Sequence, residues 1–339
     1  MSQYGVAVYG IGWVAREHIR AWQANPETSV TALSSRNKES ALCAKEELEL
    51  NCVVEDDFEA LLKRDDVHII DLCTPNALHT PLGVAAAQAG KHLVVEKPVA
   101  MNIEELITLQ RAVEQAGVAF QTGFVLRFNP YCRTVKDLVR QGAFGKVFYV
   151  ETDYYHEIGP WWSGFRWGAH TKKGGPSASL VAGCHAVDLL SWYGGKVEEV
   201  FAYCTFGHRK EYEYPPTYSA AIRFASGAVG KTGNSFENEC PYFINTVLHG
   251  SEGSVFNEKY FSRKVFSGQK GWQTFNTVMP ESGDVAHHPF REMVDDMVEA
   301  LNNGRPTLCN LEDSVETHQI CMAIDLSMET GQPVKLPLK

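Results

Sequence analysis

The sequence has no apolar run approaching the roughly 20 residues a membrane-spanning helix needs. Its first residues lack the basic stretch and hydrophobic core of a secretory signal, so a soluble, cytoplasmic protein is expected. Positive charge is in short supply: 31 Lys plus Arg stand against 41 Asp plus Glu, a formal net charge of −10. Nucleic acid and anionic membrane surfaces both reward net positive charge, so neither is expected as a partner. No two cysteines have C-x-x-C spacing, and their number, nine, is odd. That argues against a disulfide framework and for reduced, buried thiols. Low-complexity stretches and internal repeats are missing as well. What remains is a globular composition, 44% apolar and 21% charged, over 339 residues, enough for two domains.

The first third alternates short apolar runs with helical patterns. Tyr4–Tyr9, Val30–Leu33, His68–Cys73, His92–Val95 and Val118–Thr122 read as buried strands. Ile103–Ala116 reads as a helix with Ile103, Leu106, Ile107 and Val113 on one face. Asn102 caps it, Glu105 completes a capping box and Gly117 stops it. Strand and helix alternating in this way predict a parallel sheet covered on both faces. From Val147 the period changes. Val147–Tyr155, Glu199–Phe206, Tyr218–Phe224, Ala228–Phe236 and Phe243–His249 read as longer, alternating strands, with Ala225-Ser226-Gly227 as a hairpin turn. They predict an antiparallel sheet with one open face. An amphipathic helix carries Phe290, Met293, Val294, Met297 and Leu301, with Gly304 after its end. The expected domains are 1–124, binding a dinucleotide, and 125–339.

Tyr9-Gly10-Ile-Gly12-Trp13-Val14-Ala15 follows the first strand as G-x-G-x-x-A. In a dinucleotide site Gly10 would make the tight turn, Gly12 would admit the pyrophosphate and Ala15 would let the helix pack closely. The helix start then offers N–H groups and a positive dipole end to the phosphates. The second strand ends at Ser34-Ser35-Arg36-Asn37-Lys38, with no acid to bind ribose hydroxyls. Ser35, Arg36 and Lys38 instead suit a 2′-phosphate, so NADP(H) is favoured over NAD(H).

Thr74-Pro75-Asn76-Ala-Leu-His79 and Gly90-Lys-His-Leu-Val-Val-Glu96-Lys97-Pro98 each end a predicted parallel strand, where such sheets bind ligands. Pro98 restricts Lys97 to an extended conformation, and a lysine beside an apolar nicotinamide would be partly desolvated. Together with G-I-G-W-V-A and the later Gly183-Cys-His185-Ala-Val-Asp188, these segments closely resemble the Gfo/Idh/MocA oxidoreductases, which include glucose–fructose oxidoreductase and inositol dehydrogenases. The resemblance spans nearly the whole chain. It implies an α/β protein: an N-terminal Rossmann domain, then a C-terminal α+β domain with an open, mostly antiparallel sheet whose free face commonly makes oligomer contacts. A homodimer or homotetramer is expected on that ground. It also implies cofactor contacts at Gly10, Gly12, Thr74, Asn76, His79 and Glu96. Trp13 and Val14 of the first loop, Pro75 and Lys97 join this expected set.

By the same resemblance Lys97 lies near the reacting hydroxyl and His185 lines the substrate pocket. The pair is expected to move the hydroxyl proton while carbon exchanges hydride with nicotinamide. The family often has an aspartate four residues before this histidine, and here that position is Val181. His185 and Asp188 share a helix face, and Asp188 either orients a catalytic partner or forms a structural ion pair. Aromatics that could pack on a sugar ring precede them: Tyr154-Tyr155-His156 and Trp161-Trp162-Ser-Gly-Phe-Arg166-Trp167. Of these Tyr155, His156, Trp162, Arg166 and Trp167 are candidate substrate contacts, with Arg127 and Tyr131 added by family position. His170 and Lys172 are further candidates for binding hydroxyls. His156, His170, His185 and the His287-His288 pair have no strong metal-ligand spacing, so no metal is expected. The expected activity is an NAD(P)-dependent oxidoreductase acting on a sugar, polyol or related carbohydrate. A dinucleotide-binding regulatory or scaffold protein, or a lyase or glycosidase using bound NAD(P) transiently, are the alternatives.

Overall fold

The computed structural model describes residues 4–162, 164–171, 174–277 and 288–338. Contacts group the chain into two compact units, Met1–Val125 with Pro289–Val315, and Leu126–His288 with Glu316–Lys339.

The first unit runs β1 (Tyr4–Tyr9), α1 (Trp13–Ala24), β2 (Thr28–Ser34), α2 (Lys38–Glu47), β3 (Val53–Glu55), α3 (Phe58–Leu62), β4 (Ile69–Leu72), α4 (His79–Gln88), β5 (His92–Val95), α5 (Ile103–Ala116) and β6 (Phe120–Thr122). Its six strands, among the described residues, are all parallel and lie in the order β3-β2-β1-β4-β5-β6. The order reverses direction beside β1, and a doubly wound sheet binds its ligand at such a switch point. The expected Ile103–Ala116 helix is there with its expected ends. Asn102 accepts the Glu105 N–H at 2.9 Å, Glu105 reaches back to the Met101 N–H at 2.9 Å, and Gly117 stops the helix at φ 64°. The later segment 289–315 secures the β6 edge of this unit. The Thr122 N–H donates to the Cys309 carbonyl at 2.9 Å, and the Gln121 amide donates to the Met293 carbonyl at 2.7 Å. Edge strands carry unpaired backbone groups, and this segment supplies partners for them.

The second unit carries α6 (Pro130–Arg140), β7 (Val147–Tyr155), α7 (Phe165–Gly168), α8 (Cys184–Gly194), β8 (Val197–Thr205), β9 (Thr217–Phe224), β10 (Val229–Ser235), β11 (Phe243–Gly250), β12 (Gly253–Phe256), β13 (Lys259–Ser262) and β14 (Gln273–Thr274). The chain then forms α9 (Phe290–Asn303), which belongs to the first unit, α10 (Leu311–Thr330) and β15 (Val334–Lys335). The sheet order is β14-β13-β12-β11-β7-β10-β9-β8-β15, and every pairing is antiparallel except β7 with β10. β9 alternates buried and exposed along its length, as a half-covered sheet requires. Among the described residues no helix is long and apolar enough to cross a membrane.

Candidate functional site

The phosphate loop connects β1 to α1. Gly10 has φ 94°, and a Cβ there would lie 2.7 Å from the Cys73 carbonyl oxygen and 2.8 Å from the Thr74 Cα. Only glycine fits that turn. Gly12 is the N-cap residue of α1 and makes no side-chain cap, so the first N–H groups of the helix are left for a ligand. A Cβ on Gly12 would meet nothing within 4 Å among the described residues. Ala15 is fully buried, Val14 is half-buried and Trp13 is exposed beside the loop. At the strand ends flanking the loop, the Ser34 and Thr74 hydroxyls are buried with no hydrogen-bond partner among the described residues. Open space over Gly12, unspent helix amides and two orphaned hydroxyls fit a dinucleotide's phosphates and riboses.

The two glycines therefore differ in a testable way. Gly12→Ala should leave the free protein within about 1 kcal/mol of wild type, the scale of a changed N-cap. Its methyl would occupy ligand space, so the Kd for NAD(P)H should rise about tenfold or more, the scale of an overpacking cost. Gly10→Ala should destabilise the free protein by about 1–3 kcal/mol, because both backbone angle and backbone contact oppose it. Thermal unfolding and cofactor fluorescence titration of the two variants check the contrast; equal losses of stability would refute it.

Arg36 is exposed beyond the end of β2, and Ser35 is half-buried. Lys38 begins α2 and pairs with Asp56 at 3.3 Å, an exposed contact of small energetic weight. Asn37 caps α2 by accepting the Glu39 N–H at 3.1 Å.

Next to the phosphate loop stand the ends of β4 and β5. Asn76 is buried and Pro75 is exposed. His79 is fully buried, with Nδ1 2.7 Å from the Pro98 carbonyl oxygen and Nε2 2.8 Å from the Thr74 carbonyl oxygen. It thus clamps the Thr-Pro-Asn loop to the Glu-Lys-Pro loop. Burial holds its pKa below the ordinary value, despite the pull of the Pro98 carbonyl. Both ring nitrogens face the backbone of these loops. Lys97 is half-buried and precedes a cis peptide bond to Pro98. Its N–H donates to Glu96 Oε2 at 3.3 Å. The other Glu96 oxygen, Oε1, lies 3.2 Å from Nε2 of His18.

In the second unit a π-helical turn, Ser179–Gly183, leads into α8. The Ser177 and Ser179 hydroxyls donate to Asp325 at 2.6 and 2.7 Å and hold this turn against α10. A Cβ on Gly183 would sit 2.5 Å from the Tyr218 hydroxyl, which accounts for the glycine. Val181, at the position where the resemblance often has an aspartate, is buried. His185 is buried and its ring stacks on Tyr154, with centroids 6.1 Å apart. The Tyr154 hydroxyl and His156 Nδ1 are 2.9 Å apart. Tyr242 stands edge-on to both Tyr154 and His156, at 5.3 and 5.0 Å, and His288 stands edge-on to Tyr242 at 6.1 Å.

Strand parity separates Tyr154 from Tyr155. Thr152 bonds to the Ala186 carbonyl at 2.7 Å and Tyr154 meets His185, so the even residues of β7 face α8. Glu151 and Asp153 bond to Asn245 and Lys231 on the opposite face. Tyr155 shares that parity and lies with this acidic group, whose charge, after burial, pushes its pKa up. The ring beside His185 is therefore Tyr154.

The other candidates separate. Arg127 and Asp188 are both buried and form a bidentate pair, 2.8 Å at each contact, while Thr317 donates to the same carboxylate at 3.1 Å. Of the two roles open to Asp188, its contacts are those of a structural ion pair. Tyr131 is buried and its hydroxyl donates to the Asn257 carbonyl at 2.7 Å. Trp162 and Trp167 pack on each other at 5.7 Å, Arg166 is exposed, and His170 pairs with Glu213 at 2.8 Å. Lys172 and His287 lie outside the described residues. Sequence reasoning passed over Tyr242 and, in the first unit, His18 and Asp71. His18 interrupts the buried stripe Ala15, Ile19, Trp22 of α1, and Asp71 interrupts the apolar run of β4. A polar residue at an apolar position is the signal that identifies both.

Comparisons with known proteins agree with this architecture. Residues 4–124 match the model of an oxidoreductase family, NAD-binding Rossmann fold, and residues 136–336 match that family's C-terminal alpha/beta domain. D-xylose 1-dehydrogenase (NADP(+)) 2 of Haloferax volcanii is 26% identical over 328 residues, covering 96% of this chain and 97% of the relative. The scyllo-inositol 2-dehydrogenase (NAD(+)) of Bacillus subtilis is 23% identical over 351 residues, covering 99% and 97%. Among solved structures, levoglucosan dehydrogenase in complex with NADH and L-sorbose superposes with a TM-score of 0.89 at 22% identity, covering all of both chains. With both of its domains matched by the family models, the chain belongs to the Gfo/Idh/MocA oxidoreductase family.

Proposed function

We propose that this protein is an NAD(P)-dependent dehydrogenase that interconverts a secondary alcohol and a ketone on a sugar, polyol or related carbohydrate. The observation that carries the proposal is the Glu-Lys-Pro lysine at the carboxyl end of β5, on the sheet whose phosphate loop fits a dinucleotide. Full-length relatives named as dehydrogenases of a pentose and an inositol support the substrate class. The nicotinamide, when bound, supplies the hydride acceptor and donor.

The chain's own residues do the rest. The amides of the Gly10–Trp13 turn bind the diphosphate, and Thr74 and Ser34 have hydroxyls to spend on the cofactor. Lys97 and His185 are the groups proposed to hold and return the hydroxyl proton, at Nζ and at the imidazole. Tyr154, His156 and Tyr242 give His185 an aromatic wall of the kind that packs on a sugar ring. The test is nicotinamide absorbance at 340 nm with a panel of aldoses, inositols, anhydrosugars and uronates. Turnover on at least one is expected, and no cofactor reduction or oxidation with any of them would overturn the reading.

For the cofactor we propose a preference for NADP(H), carried by Ser35 and the exposed Arg36. The named relatives include both an NADP and an NAD enzyme, so the preference rests on these side chains. Arg36→Ala should raise the KM for NADPH about tenfold, the value of a lost charge-assisted phosphate contact, with little change for NADH. Equal changes in both saturation curves would count against it.

A further inference from the structure

The first unit buries an imidazole between two acids. His18 is on the inner face of α1, 0% exposed. Its Nδ1 lies 2.9 Å from Asp71 Oδ2, and its Nε2 lies 3.2 Å from Glu96 Oε1. A neutral imidazole has one N–H and can donate to only one of them; the imidazolium donates to both. Burial opposes the charge most strongly of any one cause, and Asp71 and Cys73 at contact distance together overcome it, so His18 titrates well above its ordinary range. Burial likewise pushes the Glu96 carboxyl up, and His18 more than reverses this, leaving it below its usual range.

The surroundings are closed. Trp22 donates its indole N–H to Asp71 Oδ2 at 2.7 Å, the Cys73 thiol lies 3.6 Å from Asp71 Oδ1, and the Phe290 ring lies against His18 at 5.0 Å. Gly123 leaves room for the Glu96 carboxylate, because a Cβ there would stand 2.4 Å from Oε1. His18, Asp71 and Cys73 also bring three ligand-type atoms together. His18 and Asp71 are already joined there by hydrogen bonds, which is the arrangement of a charge bridge. Glu96 has one oxygen held by His18 and the other receiving the Lys97 N–H.

We propose that His18 is a positioning residue for the Glu-Lys-Pro loop: it fixes the Glu96 carboxylate and, through it, the backbone from which Lys97 reaches substrate. The buried charge thereby ties the phosphate-binding helix α1 to the lysine. Glu96 serves as the linker in this chain, in place of the direct cofactor contact that the resemblance implies. The proposal rests on the reading of Lys97 as the proton-transfer group.

The experiment compares His18→Gln, Glu96→Gln, the double variant and Lys97→Ala as full-length proteins. It uses the fastest panel sugar for kcat, and fluorescence titration with NADH and NADPH for cofactor binding. His18→Gln keeps polarity but can donate from only one nitrogen, so kcat should fall about tenfold or more while cofactor Kd stays within about threefold, a split that general destabilisation does not give. Glu96→Gln keeps shape and retains the histidine, so it serves if His18→Gln does not fold, and it should show the same split. The double variant should lose little beyond the worse single variant, because both act through one contact. If Lys97→Ala is inactive but His18→Gln and Glu96→Gln turn over within twofold of wild type, the positioning role is wrong and the lysine reading stands. If Lys97→Ala retains turnover, or if no panel sugar is turned over, both fail. Multiplicative losses in the double variant, or a rise in cofactor Kd that matches the loss of kcat, would also overturn the positioning role.

Discussion

Replacing Lys97 with alanine should lower kcat by about 10²–10⁴-fold, the range for a lost proton-transfer group, while NAD(P)H Kd changes by less than about threefold. The separation of the two effects follows from where the residue stands. The site proposed for the cofactor's phosphates is Gly10–Trp13, built from backbone at another strand end than Lys97. The Lys97 backbone is fixed by Glu96 and the loop by His79, both of which survive truncation of the side chain. Alanine therefore removes the amine while these backbone anchors stay in place. His185→Ala should also lower kcat, by about 10²-fold. It also exposes one side of the Tyr154 ring, so it should raise sugar KM as well. Steady-state kinetics on one sugar, with cofactor binding measured separately, decides the matter. Near-wild-type turnover in both variants would remove the proposed pair.

The glycines of the phosphate loop were legible in the sequence because their constraints are local: a turn at φ 94° pressed against Cys73 and Thr74 admits one residue type. The parallel sheet and the α5 caps were legible for the same reason, since period and capping act over a few residues. Which residues of β7 face α8 was not legible, because 151, 153, 155 and 152, 154 both mix polar and aromatic residues, so alternation alone does not choose between the sets. What separates them is Thr152 against Ala186, 34 residues away. The resemblance implies a cofactor contact at His79, and what its motif does not carry is that Nδ1 lies against the Pro98 carbonyl, 19 residues on. The cluster around His18 could have been found, because a histidine in a buried helical stripe and an aspartate in a buried strand each need a partner. What the sequence does not carry is that each partners the other.

Arg127 and Asp188 supply the largest expected change in stability. Arg127 is a pocket candidate by family position, and Asp188 is open either to orienting a catalytic partner or to a structural ion pair; the structure buries them on each other, 2% and 1% exposed, in bidentate geometry. The guanidinium also lies over the Trp192 ring, 5.4 Å from its centroid, and Thr317 shares the Asp188 carboxylate. Asp188→Ala would leave a guanidinium buried without its carboxylate, at a cost of about 3–5 kcal/mol. For a unit of this size that corresponds to a fall in melting temperature of about 10 °C. Arg127→Ala should cost a similar amount, since it strands the carboxylate. Replacing both by leucine removes the stranded charge, so the double variant should recover much of the loss despite carrying two changes. A substrate-binding pair predicts another pattern: each single variant would keep its melting temperature and raise the KM for the sugar, and the double leucine variant would recover nothing. Thermal melts of the three variants, with sugar KM from the same preparations, separate these roles, because a stranded buried charge lowers stability whether or not sugar is present. Preserved melting temperatures in both single variants would return Arg127 and Asp188 to the substrate site.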